Sequence, residues 1–138
     1  MKISAQITNE PGGHRVTVQT GETRSPVSIP PKASGFGSSI NGGELLMAAL
    51  ATCYCNDLYR EAAKHGLRVE GVEVDAEGDF AGEGLPASAI RYRVRVRAGA
   101  SPQEIEALIR HTDRVAEIQA TVRGGCAVSL EGVEAIQV

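Results

Sequence analysis

Residues 41–66, N-G-G-E-L-L-M-A-A-L-A-T-C-Y-C-N-D-L-Y-R-E-A-A-K-H-G, form the longest stretch of helical pattern in this chain of 138 residues. Asn41, followed three residues later by Glu44, is a capping-box pattern of the kind that begins a helix. Gly66 stands where the residue that ends a helix is expected. The sequence therefore predicts one helix from Asn41 to His65, about 36 Å long at ~1.5 Å per residue.

The first half of this helix is apolar on every side, because no charged or strongly polar residue interrupts the run from Leu45 to Ala51. A helix of this kind has to be covered all round. The second half, Asn56 to Lys64, mixes charged and apolar residues and is amphipathic. The helix is long for a domain of this size, so the pattern predicts that a second subunit covers its first half.

Strand patterns flank the helix on both sides. Alternation of apolar and polar residues, bounded by Gly and Pro, predicts three strands before it: Ile3 to Thr8, His14 to Thr20 and Arg24 to Ile29. Two more are predicted after it: Leu67 to Phe80 and Ile90 to Val96. The last two carry a row of acids and a row of arginines respectively, which predicts a long hairpin with the two rows facing each other.

The remainder of the chain predicts helices followed by short strands. Ser101 and Glu104 form a second capping box with Pro102 at the first helical position, so a helix is expected to run to about His111. A further turn or two is expected within 113–122, and closing strands at 127–130 and 133–138. Groups of strands separated by helices are typical of the α+β class with mostly antiparallel sheets.

Composition limits the possible functions. The length predicts a single domain over residues 1–138. A net charge of −3 and the absence of Trp argue against a nucleic-acid partner. No apolar run approaches the roughly 18 residues of a membrane span, and the start of the chain lacks the apolar segment of a signal peptide. We therefore expect a cytoplasmic protein with neither nucleic acid nor membrane as partner.

The three cysteines are Cys53, Cys55 and Cys126, an odd number that does not suggest a disulfide scaffold. In a reducing compartment, such thiols either pack as small apolar residues or perform chemistry. Cys53 and Cys55 are two apart in the predicted helix and point to nearly opposite sides. They cannot hold one metal together, so no metal site is predicted.

From the residues alone, both interpretations of the thiols stay open. Cys53 lies about three turns into the helix, where the helix dipole has little effect, so a reactive thiol would need a nearby cation. Arg15 and Arg24 on the predicted N-terminal strands are either that cation or ordinary exposed arginines. Cys126, after two glycines, is either a strand residue beside a turn or a second thiol that meets Cys53.

Two segments of the chain resemble the OsmC/Ohr family of osmotically inducible and organic hydroperoxide resistance proteins. Residues 38–53, S-S-I-N-G-G-E-L-L-M-A-A-L-A-T-C, resemble the family's central helix and place Cys53 at the position of its reactive cysteine. Residues 125–129, G-C-A-V-S, resemble the stretch that carries the family's second cysteine. The order of strands and helices matches over nearly the whole chain.

This resemblance implies an OsmC-like fold and an intertwined homodimer with the long helices at its centre. It also implies a thiol peroxidase that acts on organic hydroperoxides. Cys53 would be oxidised to a sulfenic acid and Cys126 would condense with it to a disulfide. An external dithiol or redox protein would reduce that disulfide, with no bound cofactor. Arg15, or as second choice Arg24, would stabilise the thiolate.

The chain also departs from the family pattern in its helix and around its second cysteine. Gly42 and Ala127 each stand where the family has Pro, and Gly43 stands where Ohr-type members have a catalytic Glu. The missing Glu motivates an alternative. In that alternative, the protein is a non-catalytic dimer of the same fold that binds a small apolar or thiol-bearing molecule in the crevice between subunits.

Overall fold

The long helix predicted from the sequence forms as expected. In the computed structural model, which describes residues 1–137, helix α1 spans Gly42–Lys64. Its capping box is present: the backbone N–H of Glu44 donates to Asn41 Oδ1 at 2.9 Å, and the Asn41 N–H donates to Glu44 Oε2 at 2.7 Å. Two of the N–H groups that a helix start leaves without backbone partners are satisfied in this way.

The other elements confirm the α+β class with antiparallel sheets. In chain order they are β1 (Ile3–Glu10), β2 (Gly13–Thr20), β3 (Thr23–Val27), α1, β4 (Val69–Phe80), β5 (Ala87–Ala98), α2 (Pro102–Val115) and α3 (Glu117–Gly124). They are distributed over two compact units, Met1–Leu46 and Met47–Val138, whose boundary lies close to the start of α1. The expectation of a single domain stays a prediction.

The first unit contains an antiparallel sheet in the order β1-β2-β3. Gly12, with φ +72°, occupies the tight turn between β1 and β2, a conformation that glycine adopts without strain. The third strand ends at Val27 and not at Ile29 as predicted. Pro26 has no backbone N–H to donate to the neighbouring strand, and Pro30 and Pro31 follow directly, so the strand ends early. Ile29 is buried but lies outside the strand.

The second unit is organised around the β4–β5 hairpin. The predicted pairing of acids with arginines is confirmed, since Glu73 faces Arg95 and Glu77 faces Arg91. The guanidinium nitrogens lie 2.6 Å and 2.9 Å from those carboxylate oxygens. The opposite side of the hairpin carries valines, which pack against the core.

The core of this unit is formed by α1, the valine side of the hairpin and α2. Its buried members are Tyr54, Leu58, Ala62, Leu108 and Ala116. The ring of Tyr54 packs against that of Tyr92 on β5 with centroids 5.2 Å apart, and its hydroxyl donates to the Ile109 carbonyl. The amphipathic half of α1 is therefore fixed on one side by the hairpin and on another by α2.

Helix α2 begins with the predicted capping box but continues beyond the predicted end at His111. Ser101 caps it together with Glu104, and Pro102 is its first residue. Thr112 is fully buried and its hydroxyl donates to the Leu108 carbonyl, so the helix continues through this turn to Val115. Ala116 then adopts an extended conformation that separates α2 from α3.

The predicted closing strands are wrong. Residues 127–130 and 133–137 have no regular structure, and Val138 lies outside the described residues. Their apolar side chains, Val128, Leu130, Val133 and Ile136, are exposed. A β-strand requires an adjacent strand whose backbone N–H and C=O groups pair with its own, and an alternating sequence pattern does not show whether such a partner is available. Within residues 1–137, no helix is long and apolar enough to cross a membrane.

We expect Leu58→Ala to destabilise the protein by about 2–5 kcal/mol, because it opens a cavity where α1 meets the hairpin. Leu58 is 0% exposed, whereas Leu85, in the turn of the same hairpin, is 56% exposed. Leu85→Ala is therefore the matched control, with an expected change within about 0.5 kcal/mol. Urea denaturation of both variants measures the difference. Equal losses would contradict this packing.

Candidate functional site

Cys53 lies in the middle of α1, half-buried, with its sulfur against two carboxylates. Its Sγ is 3.2 Å from Asp57 Oδ2 and 3.9 Å from Glu117 Oε2, so the thiol donates toward both. Asp57 is one helical turn further along α1 and shares its face with Cys53. Glu117 is the first residue of α3, and a hydrogen bond from the Gln119 side chain to the Leu50 carbonyl links α3 to α1 beside the thiol.

Arg60 is the cation of this site. One of its nitrogens lies 2.8 Å from Asp57 Oδ1 and 3.2 Å from Glu117 Oε1. These are the oxygens of the two carboxylates that do not contact the thiol. We refer to Cys53, Asp57, Arg60 and Glu117 as the thiol–carboxylate cluster. In each of the two carboxylates, the Arg60 guanidinium pairs with one oxygen and the Cys53 thiol donates to the other.

The surroundings of Cys53 favour the protonated thiol. Burial raises its pKa, and the hydrogen bond to Asp57 and the charges of Asp57 and Glu117 raise it further; a hydrogen bond from the backbone of Ile118 acts in the opposite direction. Burial also raises the pKa of the Asp57 carboxyl, which is 5% exposed. The cluster therefore pairs a protonated thiol with a carboxylate that accepts protons readily.

Cys126 lies just beyond α3, at the opposite end of that helix from Glu117. Gly125, with φ +63°, ends α3, and the exposed Cys126 follows with its Sγ 3.9 Å from the Ala127 carbonyl oxygen. The eight residues of α3 span about 12 Å. Both cysteines are free thiols in this structure. The pairing of Cys53 with Cys126 stays a prediction.

The arginines predicted to assist Cys53 lie in the first unit. Arg15 on β2 is 3.7 Å from Glu10 and is largely exposed. Arg24 on β3 donates to the Gln19 side chain at 2.7 Å. The arginine that the structure places beside the carboxylates of Cys53 is Arg60. Whether Arg15 or Arg24 supports the thiolate stays a prediction.

Sequence reasoning missed three of the four members of the thiol–carboxylate cluster. Asp57 could have been found, because residues four apart on a predicted helix are neighbours. Arg60 follows Asp57 at the similarly close spacing of three. Glu117 is 64 residues away from Cys53 and carries no local signal. Its role depends on where α3 packs.

The cluster is a poor metal site even though Cys53, Asp57 and Glu117 present ligand atoms within 4.8 Å of one another. Arg60 already binds both carboxylates, and the surroundings of Cys53 keep the third ligand group, the thiol, protonated. A metal ion binds the thiolate and not the thiol, so binding here would first require loss of the proton that burial and the two acids retain on Cys53. We therefore interpret the cluster as a site of proton transfer.

We expect Cys53 to react slowly with an alkylating reagent near neutral pH and to accelerate as the pH rises past its ordinary pKa of 9.0. Asp57→Asn removes a neighbouring negative charge, so the pKa of Cys53 should fall and the reaction should accelerate. The thiolate fraction at neutral pH rises about tenfold for each unit that the pKa falls. Peptide mapping of alkylation rates against pH measures each cysteine separately.

The control for this experiment is Asp79→Asn, which removes an exposed acid at the far end of β4. Exposed Cys126 serves as an internal reference in every sample. If Asp57→Asn left the pH profile of Cys53 unchanged, or shifted Cys126 equally, the proximity of Asp57 and Cys53 would be contradicted.

Comparison with known proteins gives a family match and several related folds. Residues 35–131 match the model of the family described as OsmC-like protein. A segment of 62 residues is 34% identical to the uncharacterized protein YmaD of Bacillus subtilis. That segment covers 45% of this chain and 41% of YmaD, so the chain matches well under two thirds of this relative.

Solved structures share the fold over most of the chain. An OsmC-like protein from Mycoplasma pneumoniae is 18% identical with a TM-score of 0.62, covering 90% of this chain and 87% of that one. A Legionella pneumophila protein, described as an organic hydroperoxide resistance protein and predicted redox protein, is 21% identical with a TM-score of 0.53. It covers 90% of each chain. The predicted OsmC-like fold is confirmed by these likenesses.

Proposed function

The chain belongs to the OsmC-like protein family, and from this premise we propose that it is a thiol-dependent peroxidase that reduces organic hydroperoxides. The names of several structural neighbours, among them the Legionella pneumophila protein, support this class of reaction. The observation that carries the proposal is the 3.2 Å contact between Cys53 Sγ and Asp57 Oδ2. It supplies the nucleophile with a proton acceptor.

The proposed first step is attack by the Cys53 sulfur on the terminal oxygen of the hydroperoxide. A sulfur–oxygen bond forms, the oxygen–oxygen bond breaks, and an alkoxide leaves. The thiol proton passes to Asp57 as the sulfur attacks and then to the alkoxide, which departs as the alcohol. Cys53 is thereby oxidised to a sulfenic acid while the hydroperoxide is reduced by two electrons.

Asp57 explains how a thiol with a raised pKa could still react. Free thiolate is scarce at neutral pH, but a carboxylate at hydrogen-bonding distance can accept the proton during the attack. Arg60 holds the other oxygen of Asp57 and fixes the orientation of that carboxylate. Glu117 adds a second oxygen, 3.9 Å from the sulfur.

The proposed second step regenerates the thiol. Cys126 condenses with the sulfenic acid, water leaves, and a Cys53–Cys126 disulfide forms. An external dithiol or a redox protein reduces this disulfide by exchange. The proposal includes a homodimer in the cytoplasm, where the apolar first half of α1 is covered by the partner subunit and Arg15 or Arg24 assists the thiolate.

A second candidate function is favoured by the raised pKa of Cys53. Burial and two acids keep this thiol protonated, as expected of an unreactive cysteine. In that case the protein is a non-catalytic dimer that binds a small apolar or thiol-bearing molecule in the crevice between its subunits. The absence of an acid at Gly43 supports the same candidate.

The two candidates differ in what an organic hydroperoxide does to the protein. For the peroxidase we expect an equimolar dose to join Cys53 to Cys126 with the loss of two hydrogen atoms, measured by intact mass and peptide mapping. Cys126→Ser should instead leave a sulfenic acid on Cys53 that a dimedone reagent traps. Cys55→Ser is the control and should behave as the unaltered protein does.

Asp57→Asn separates proton transfer from simple thiol reactivity. We expect it to lower the rate of hydroperoxide reduction by roughly 10²-fold, because the alkoxide loses its proton donor. The same variant should accelerate alkylation, which needs no proton donor. Unchanged hydroperoxide consumption in Cys53→Ser would rule out the peroxidase and leave the binding protein.

A further inference from the structure

A second cluster of side chains lies one turn beyond the thiol–carboxylate cluster on α1. Glu61, His65 and His111 present one carboxylate oxygen and two imidazole nitrogens within 4.8 Å of one another. His111 Nε2 is 3.0 Å from Glu61 Oε2. The rings of His65 and His111 meet edge to face with centroids 5.6 Å apart.

Two elements build this cluster independently of the thiol. Glu61 and His65 are four residues apart, and the backbone N–H of His65 donates to the Glu61 carbonyl at 3.2 Å, which extends the helical turn to His65. His111 comes from α2, which packs on the same side of α1 through Leu108. The geometry of the core therefore holds the three groups together.

The two oxygens of Glu61 are used differently. Glu61 is 2% exposed, and its Oε1 accepts from Lys64 at 2.8 Å and from Arg60 at 2.9 Å. Its Oε2 faces His111. Lys64, Arg60 and His111 lower the pKa of Glu61 to about 2, so the carboxylate is ionised at neutral pH. One oxygen is thus held by cations and the other is directed at an imidazole.

The histidines border an open cavity of about 430 Å³. Leu67 and Leu108 contribute apolar wall, and Glu104 and Arg114 contribute charged groups. Such a cavity gives a small ligand access to the histidine nitrogens. Two imidazoles and one carboxylate beside open space form the ligand set of zinc sites that keep an exchangeable position.

We propose that Glu61 Oε2, His65 and His111 bind a divalent transition-metal ion of the zinc type, with a further coordination position open to the cavity. Nitrogen and oxygen donors of this kind suit Zn²⁺ and its neighbours better than Mg²⁺ or Ca²⁺. Donor atoms that bind one metal ion at about 2.0–2.2 Å lie closer to one another than the separations of up to 4.8 Å found here. The exposed His65 ring therefore has to turn toward Glu61 and His111 when the ion binds. Any proton between Glu61 Oε2 and His111 Nε2 is released to solvent.

The test is competition for Zn²⁺ between the reduced protein of 138 residues and a chromophoric chelator. We expect one ion bound per chain. His65→Ala and His111→Ala should each weaken Zn²⁺ binding by at least about 10-fold. Loss of a residue that only hydrogen-bonds to a metal ligand already lowers metal affinity by about that factor, and these two residues are ligands themselves. His14→Ala is the matched control, because His14 lies on β2 in the first unit, and it should bind as the unaltered protein does.

Two further measurements separate this site from the cysteines and from nonspecific binding. Cys53→Ser should retain Zn²⁺ binding, and the Co²⁺-loaded protein should lack a thiolate-to-metal charge-transfer band. Lys64→Gln should bind Zn²⁺ more tightly, because it removes a cation 2.8 Å from Glu61. His65 is exposed, so His65→Ala should keep its fold, which circular dichroism verifies.

Several results would overturn the proposal. They are the absence of Zn²⁺ binding by the unaltered protein, equal affinity in His65→Ala, weaker binding in Lys64→Gln, and loss of binding in Cys53→Ser. None of them bears on the peroxidase, whose tests follow Cys53 and Cys126.

Discussion

Two buried carboxylates one turn apart on α1 set the constraint that organises the second unit. Asp57 and Glu61 are 5% and 2% exposed, and a buried charge is costly unless it is paired. Arg60 lies between them and contacts both, with Glu117 as a third partner. The guanidinium can satisfy several acids at once because its donors form a planar fork. A lysine at position 60 would offer a single ammonium to the same three acids.

The shared arginine also connects the two sites. The acid that contacts the Cys53 thiol and the acid that faces His111 bind different nitrogens of the same side chain. Groups in one hydrogen-bonded network do not respond independently to substitution. Replacing Asp57 or Glu61 would therefore alter the surroundings of the other acid, because Arg60 would change its position and its pairing.

The sequence predicted those parts of the fold whose signals are local. The helix α1, the capping box of α2 and the pairing of acids with arginines in the β4–β5 hairpin all depend on neighbours in sequence or on a simple alternation. The strands expected after Cys126 failed because a strand is defined by its hydrogen-bonded neighbour. In the candidate site, Cys53 was found from its family position and Asp57 was within reach of helical spacing. Glu117 and His111 depend on how α3 and α2 pack against α1, which no local pattern records.

The contact between Tyr54 and Tyr92 provides an intrinsic spectroscopic signal for the packing of α1 on β5. The chain has no Trp and three Tyr, and the rings of two of them meet 5.2 Å apart where α1 packs on β5. The third, Tyr59, is 44% exposed. Near-ultraviolet circular dichroism arises from aromatic rings held in a fixed asymmetric environment. Phe36 and Phe80 are also exposed, so the tyrosine signal reports chiefly on the contact between α1 and β5, which also positions the helix that carries Cys53.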